Sequence, residues 1–133
     1  NRIRKELTIP IVGAGESTAL MALRYGSKVC SLGITKEAPE NYKKVLKECL
    51  IENAIPDGVH STVDLQGEKG WNSVCEKAMY LKNRGADVIA LACTGMATMG
   101  IATKLEAITE IPVLDPVMCE GLVMYMELLR RNC

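Results

Sequence analysis

Apolar and polar positions along the chain switch repeatedly between two periods, and the switching predicts strands and helices in turn. Ile9-Pro10-Ile11-Val12 is a short apolar run ending in Gly13-Ala14-Gly15, and it reads as a first strand. Helical spacing follows through Ala19, Leu20, Ala22 and Leu23 and stops near Tyr25-Gly26. Residues 28–34 read as a second strand. Tyr42, Val45, Leu46, Cys49 and Leu50 then fall at the i, i+3, i+4, i+7, i+8 positions of one helix face, with Lys43, Lys44, Lys47 and Glu48 opposite. Residues 60–65 form a weaker strand pattern. Trp71, Val74, Ala78 and Leu81 repeat a helical face that Arg84-Gly85 ends. Residues 87–92 are the clearest buried strand: nothing polar follows Asp87, as a central parallel strand requires. A helix over 98–109, a short strand over 111–114 and a helix over 117–131 complete the pattern.

Strands alternating with helices of this length imply an α/β fold, a three-layer arrangement of a parallel sheet covered on both faces. The chain reads as a single domain spanning 1–133, with a core over 9–115 and a C-terminal helix over 116–131. Ligands on such sheets bind beyond the carboxyl ends of the strands. The search for chemistry therefore narrows to the loops at 13–17, 33–38, 65–70, 93–97 and 115–119. Two stretches fit a self-contained domain poorly. The last helix carries Leu122, Val123, Met124, Tyr125, Met126, Leu128 and Leu129, so it is apolar nearly all round. Residues 96–102 are also short of charge. Either both are buried at home, or an apolar surface awaits a partner.

Charge and composition remove several function classes. The 133 residues carry 16 basic and 16 acidic side chains, with no sizeable basic block, so no nucleic-acid partner is expected. No apolar run approaches the ~20 residues of a membrane span, and the polar opening is unlike a signal peptide. The chain lacks an initiator Met, and a processed or cut piece is expected. Six cysteines, at 30, 49, 75, 93, 119 and 133, are too widely spaced for zinc or CxxC redox motifs. They read as reduced thiols of a cytoplasmic protein, mostly serving as small core residues.

Cys93 is the thiol whose position suggests chemistry. It closes the most buried strand, at the carboxyl edge, with turn amides beyond it that favour a thiolate. Such a thiol can act as a general base. Thr94 and Gly95 offer a hydroxyl and a freely turning backbone N–H for an anion. The plain alternative is a buried cysteine before a loop. Cys119, at the start of the last helix, is the least certain of the others. Thr35 ends the second strand at the same edge and could bind a carboxylate or carbonyl oxygen, although a Thr there is more often a turn residue. Residues 13–15 begin like a dinucleotide fingerprint but lack its third Gly. His60 is the only histidine. At the start of its expected strand it would lie a strand length, ~17–20 Å, from Cys93. That placement argues against a Cys-His hydrolase.

The run Asp-Val-Ile-Ala-Leu-Ala-Cys-Thr-Gly-Met over 87–96, a helix, and Ile-Pro-Val-Leu-Asp over 111–115 resemble the second catalytic-cysteine segment of the aspartate/glutamate/hydantoin racemases. Ile-Pro-Ile-Val-Gly over 9–13, a helix, and Val-Cys-Ser-Leu-Gly-Ile-Thr over 29–35 resemble the opening of that family's second lobe. The resemblance implies a flavodoxin-like lobe, one of two that enclose a small substrate: an amino acid, a hydantoin or a related small acid. It implies no metal, pyridoxal phosphate or other cofactor. One cysteine per lobe would face each side of a carbon next to a carbonyl. Cys93 would be the second-lobe acid/base. Thr94, Gly95 and Thr35 would hold the substrate's oxygens. Gly95 stands where the glutamate and aspartate racemases usually have His, which points to the hydantoin and allantoin branch. The first-lobe cysteine would lie upstream of Asn1, whose segment to Thr8 resembles the tail of the preceding helix. The last helix would pack near that lobe. The chain alone is then expected to be inactive, and a homo-oligomer is an open possibility. Two alternatives stay open: a one-cysteine relative such as an arylmalonate decarboxylase or maleate isomerase, and a non-catalytic lobe that binds small acids.

Overall fold

In the computed structural model, which describes residues 2–131, four parallel strands form one sheet in the order β2-β1-β3-β4. The strands are β1 (Val29–Leu32), β2 (Leu50–Ala54), β3 (Val88–Leu91) and β4 (Val113–Leu114). That order and the all-parallel pairing are those of a flavodoxin-like sheet. The helices are α1 (Arg2–Glu6), α2 (Ala14–Ala22), α3 (Glu40–Leu46), α4 (Gly67–Asn83), α5 (Thr94–Thr98), α6 (Ile101–Thr109) and α7 (Pro116–Arg131).

Side chains alternate across β1 and β3, and the alternation splits the core in two. Val29, Val88 and Ala90 pack with Ala19, Ala22, Tyr42 and Leu46 of α2 and α3. Cys30, Leu32, Ile89 and Leu91 pack with Val74, Ala78, Leu81, Ile101 and Leu105 of α4 and α6. Every residue of β1 and β3 is buried, as expected of strands covered on both faces.

Several expectations are corrected. The run at 9–12 joins no strand: Pro10 has no N–H to give a ladder, and Ile9 is exposed. The helix expected to run through Leu50 stops at Leu46. Lys47 turns with φ 49°, a single 3-10 turn follows, and Leu50 opens β2. The segment over 60–65 is a turn, not a strand. The helix expected from Thr98 starts at Ile101 as α6, after Gly100 with φ 61°, and a separate short helix, α5, precedes it. Met96, Ile101 and Ala102 are buried, so the charge-poor stretch at 96–102 is core and not an open patch.

α7 is different. Only Pro116 and Cys119 are buried along it, while Met118, Leu122, Tyr125, Met126, Leu128 and Leu129 are exposed. Among the described residues no helix is long and apolar enough to cross a membrane.

Candidate active site

The carboxyl ends of the strands gather the loops where a site can form. β3 is central, and its last inward residue on the α4–α6 side is Leu91; the alternation puts the next such side chain at Cys93. Cys93 is half-buried, packs against that cluster and caps α5 with extended backbone (φ −141°, ψ 120°). Its carbonyl accepts the Met96 N–H at 3.0 Å. Thr94 and Gly95 open α5, so their N–H groups have no acceptor one turn back. Thr94 is exposed and Gly95 half-buried beside it.

A cavity of about 220 Å³ adjoins this edge, lined by Ala14, Gly15, Asn41, Cys93, Thr94 and Pro116 among others. These residues stand at or near the starts of α2, α3, α5 and α7. Among the described residues no charged side chain lines it. A neutral hollow toward which helix starts converge suits a carbonyl or carboxylate oxygen. Its floor is Tyr42, whose phenol donates to the Leu91 carbonyl and whose ionisation burial drives far above the ordinary tyrosine range.

The loop over 55–66 reaches the same edge, since it leaves the carboxyl end of β2. Val59 and Leu65 anchor it in the core. The Asp64 carboxylate accepts from the His60 N–H (2.9 Å), the Ser61 N–H (2.8 Å) and the Ser61 hydroxyl (2.9 Å). These donors, the His60 N–H foremost, hold Asp64 below the usual carboxylate range. Thr62, at the exposed tip, lies against Gly95. A Cβ at position 95 would come 2.5 Å from Thr62 Cγ2 and 3.4 Å from Cys93 Sγ.

Of the residues singled out in the sequence, Cys93, Thr94 and Gly95 come together here. Thr35 is at the same edge but does not line the cavity, and its hydroxyl donates to the Glu37 carbonyl at 2.8 Å in a local turn. Asn53 Nδ2 donates to the Thr35 and Lys36 carbonyls and pins that loop to β2. His60 is corrected: it follows β2 at the carboxyl edge, not the opposite one, so separation by a strand length gives no ground against a Cys-His pair. Its side chain is exposed. Asn41 and Thr62 were not singled out. Neither belongs to a local motif, and each reaches the site only through tertiary packing.

The five described cysteines are free thiols, and Cys133 lies outside the described residues. Cys30 and Cys119 are buried; Cys49 and Cys75 are half-buried, not core residues. Burial, followed by the Glu52 carboxylate, pushes the Cys30 thiol up to about 11. Burial likewise raises Cys75 and Cys119. Cys119 is thereby a buried packing residue. Among the described residues no three metal-capable side chains gather.

A family model described as Asp/Glu/hydantoin racemase matches residues 1–120. Among solved structures, the allantoin racemase from Pseudomonas fluorescens superposes with a TM-score of 0.76 at 19% identity, covering 95% of this chain and 55% of that one. The allantoin racemase from Klebsiella pneumoniae gives 0.75 at 20% identity, over 90% and 51%. The chain thus spans about half the length of the solved structures it matches. At that identity the likeness is one of fold. No curated protein matches the sequence.

Proposed function

Because the chain belongs to the Asp/Glu/hydantoin racemase family, we propose that it forms one lobe of a cofactor-independent racemase in which Cys93 moves the proton at one face of a carbon next to a carbonyl. The observation that carries this reading is the position of Cys93: half-buried at the carboxyl end of the central strand, beside the open N–H groups of Thr94 and Gly95. In the thiolate form Cys93 takes the proton, and the electron pair passes to the carbonyl oxygen. N–H and hydroxyl donors that face that oxygen stabilise the enolate-like intermediate. Thr94 and Gly95 supply such donors. Thr35 is a more distant contributor on this reading, since its hydroxyl proton is engaged with Glu37.

Inversion needs an acid on the opposite face, and among the described residues Cys93 is the half-buried thiol at this edge. The cavity, at about 220 Å³, is also smaller than the ~300–1,000 Å³ of ordinary ligand sites. Half of a site fits both facts. An opposing lobe would close the cavity, bring the second acid/base and cover the exposed apolar side of α7. Gly95, in place of the usual His, favours the hydantoin and allantoin branch, with a 5-substituted hydantoin or ureido compound as substrate. The free thiols suit a reducing compartment such as the cytoplasm.

The test uses the chain as it stands. Iodoacetamide should alkylate Cys93 faster than half-buried Cys49 and Cys75. The chain alone should not racemise allantoin or 5-substituted hydantoins above their uncatalysed rate, because no acid completes the site, and any α-proton it exchanges in D₂O should be replaced with retention. Alkylation of Cys93 no faster than the other two thiols would remove the acid/base role. Turnover by the chain alone would remove the two-lobe account.

A further inference from the structure

We infer that Thr62 is a specificity-determining residue of the same site, whose hydroxyl hydrogen-bonds a neutral amide or ureido group of the substrate; this rests on Cys93 being the reacting thiol. The loop that presents Thr62 is built to hold it. Val59 and Leu65 fix its two sides in the core, and the Asp64 carboxylate gathers three donors across its turn. Asp64 is in turn held close to α4, where Gly70 leaves room: a Cβ there would lie 2.2 Å from the Asp64 carbonyl oxygen. At the tip, the Thr62 methyl takes the space a side chain at 95 would need, and the Cys93 sulfur borders that same space. Thr62 is therefore a neighbour of the sulfur across Gly95. Among the described residues its hydroxyl has no hydrogen-bond partner.

Charge decides what it can meet. Among the described residues no charged side chain lines the adjoining cavity, and of the loop's two carboxylates Asp57 is paired with Lys77 while Asp64 lies two residues from Thr62. A second carboxylate of an acidic amino acid would find no cation in the cavity lining and would face Asp64 across the turn. A hydroxyl both donates and accepts, which matches a –CO–NH– unit offering one of each.

Alkylation at Cys93 reads this directly, with iodoacetamide as the amide probe and iodoacetate as the charged one. Thr62→Val keeps the shape and removes the hydroxyl. It should slow iodoacetamide at Cys93 by about fivefold, the equivalent of one ordinary hydrogen bond, and change iodoacetate less than twofold. Cys49 serves as the internal reference. Thr62→Ala should slow iodoacetamide to the same extent, which separates the hydroxyl from the methyl. Rates measured against pH at Cys93 show whether the thiol's own ionisation has moved. Equal slowing of both reagents, or none, overturns the assignment of Thr62. Slow alkylation of Cys93 in the unaltered chain, with the reagent selectivity intact, overturns the acid/base reading instead.

Discussion

The Tyr42 phenol donates a 2.7 Å hydrogen bond to the carbonyl of Leu91, which ties α3 to β3 two residues before Cys93. The bond is buried, and β4 pairs with β3 only through Ile89 and Ala90, so the Leu91 carbonyl lies past that ladder. Tyr42→Phe keeps the ring in the core but leaves the carbonyl unpartnered. Losing a buried partner in this way costs about 1–3 kcal/mol. The unfolding free energy measured in urea should fall by that amount, with a lower midpoint and an unchanged m-value. An unmoved midpoint would mean that the bond contributes nothing.

Two helical glycines should respond oppositely to alanine. At Gly70 a Cβ meets backbone, the Asp64 carbonyl oxygen at 2.2 Å and the Leu65 carbonyl at 2.8 Å. Backbone cannot swing aside, so Gly70→Ala should destabilise by about 1–3 kcal/mol, as overpacking does. At Gly121, inside α7, nothing lies within 4 Å. Gly121→Ala should therefore gain up to about 1 kcal/mol of helix propensity. Thermal melts of both variants give the two signs. A stabilised Gly70→Ala would mean that the loop bearing Thr62 is not held against α4.

Alkaline pH should weaken the fold. Cys30 ionises at about 11 in the folded chain against 9.0 for an unperturbed thiol. Its folded value is raised, so its contribution is complete below 9.0, shrinks as the unfolded thiol ionises first, and is gone above about 11. Tyr42 shifts in the same direction from a higher starting value. Unfolding free energy measured in urea between pH 8 and pH 11 should decline, and Cys30→Ala should flatten part of that decline. An identical slope in the variant would place the titration elsewhere.

The strength of each local signal decided what could be read from the sequence. β3 and the place of Cys93 were legible because a strand buried on both faces must be apolar throughout, and the residue after its end must stand at the sheet's edge. α2 and α4 followed from 3.6-residue spacing. β2 was hidden. Leu50 completes the apolar stripe of α3, and the break comes at Lys47, whose positive φ no glycine announces. Glu52 and Asn53 then make an edge strand that looks polar; its commitment to the sheet shows only in the Asn53 bonds to Ser31 and to the Thr35 loop. Missing β2 put 60–65 into a strand and His60 at the wrong edge. The Ser61 and Asp64 spacing was the available sign of a turn, because a short acidic side chain there can gather the amides behind it. Thr62 carried no such sign. Its role depends on Gly95, thirty-three residues away in sequence.

The exposed side of α7 carries the last prediction. Met118, Leu122, Tyr125 and Leu129 are 67%, 55%, 62% and 50% exposed, and their spacing of four, three and four residues is the seam of a paired helix. An isolated domain gains nothing from showing such a seam to water, and an opposing lobe would cover it. Without that lobe the same seam can pair with its copy on a second chain, so the chain alone should associate as its concentration rises. Leu122→Glu together with Tyr125→Lys removes apolar surface from the seam and nothing from the core. Stability should then stay within about 0.5 kcal/mol, as for other surface changes, while sedimentation equilibrium should report a monomer. A chain that is monomeric before the substitutions would show that the seam does not pair with its copy, and one that unfolds after them would show that the seam supports the fold of its own chain.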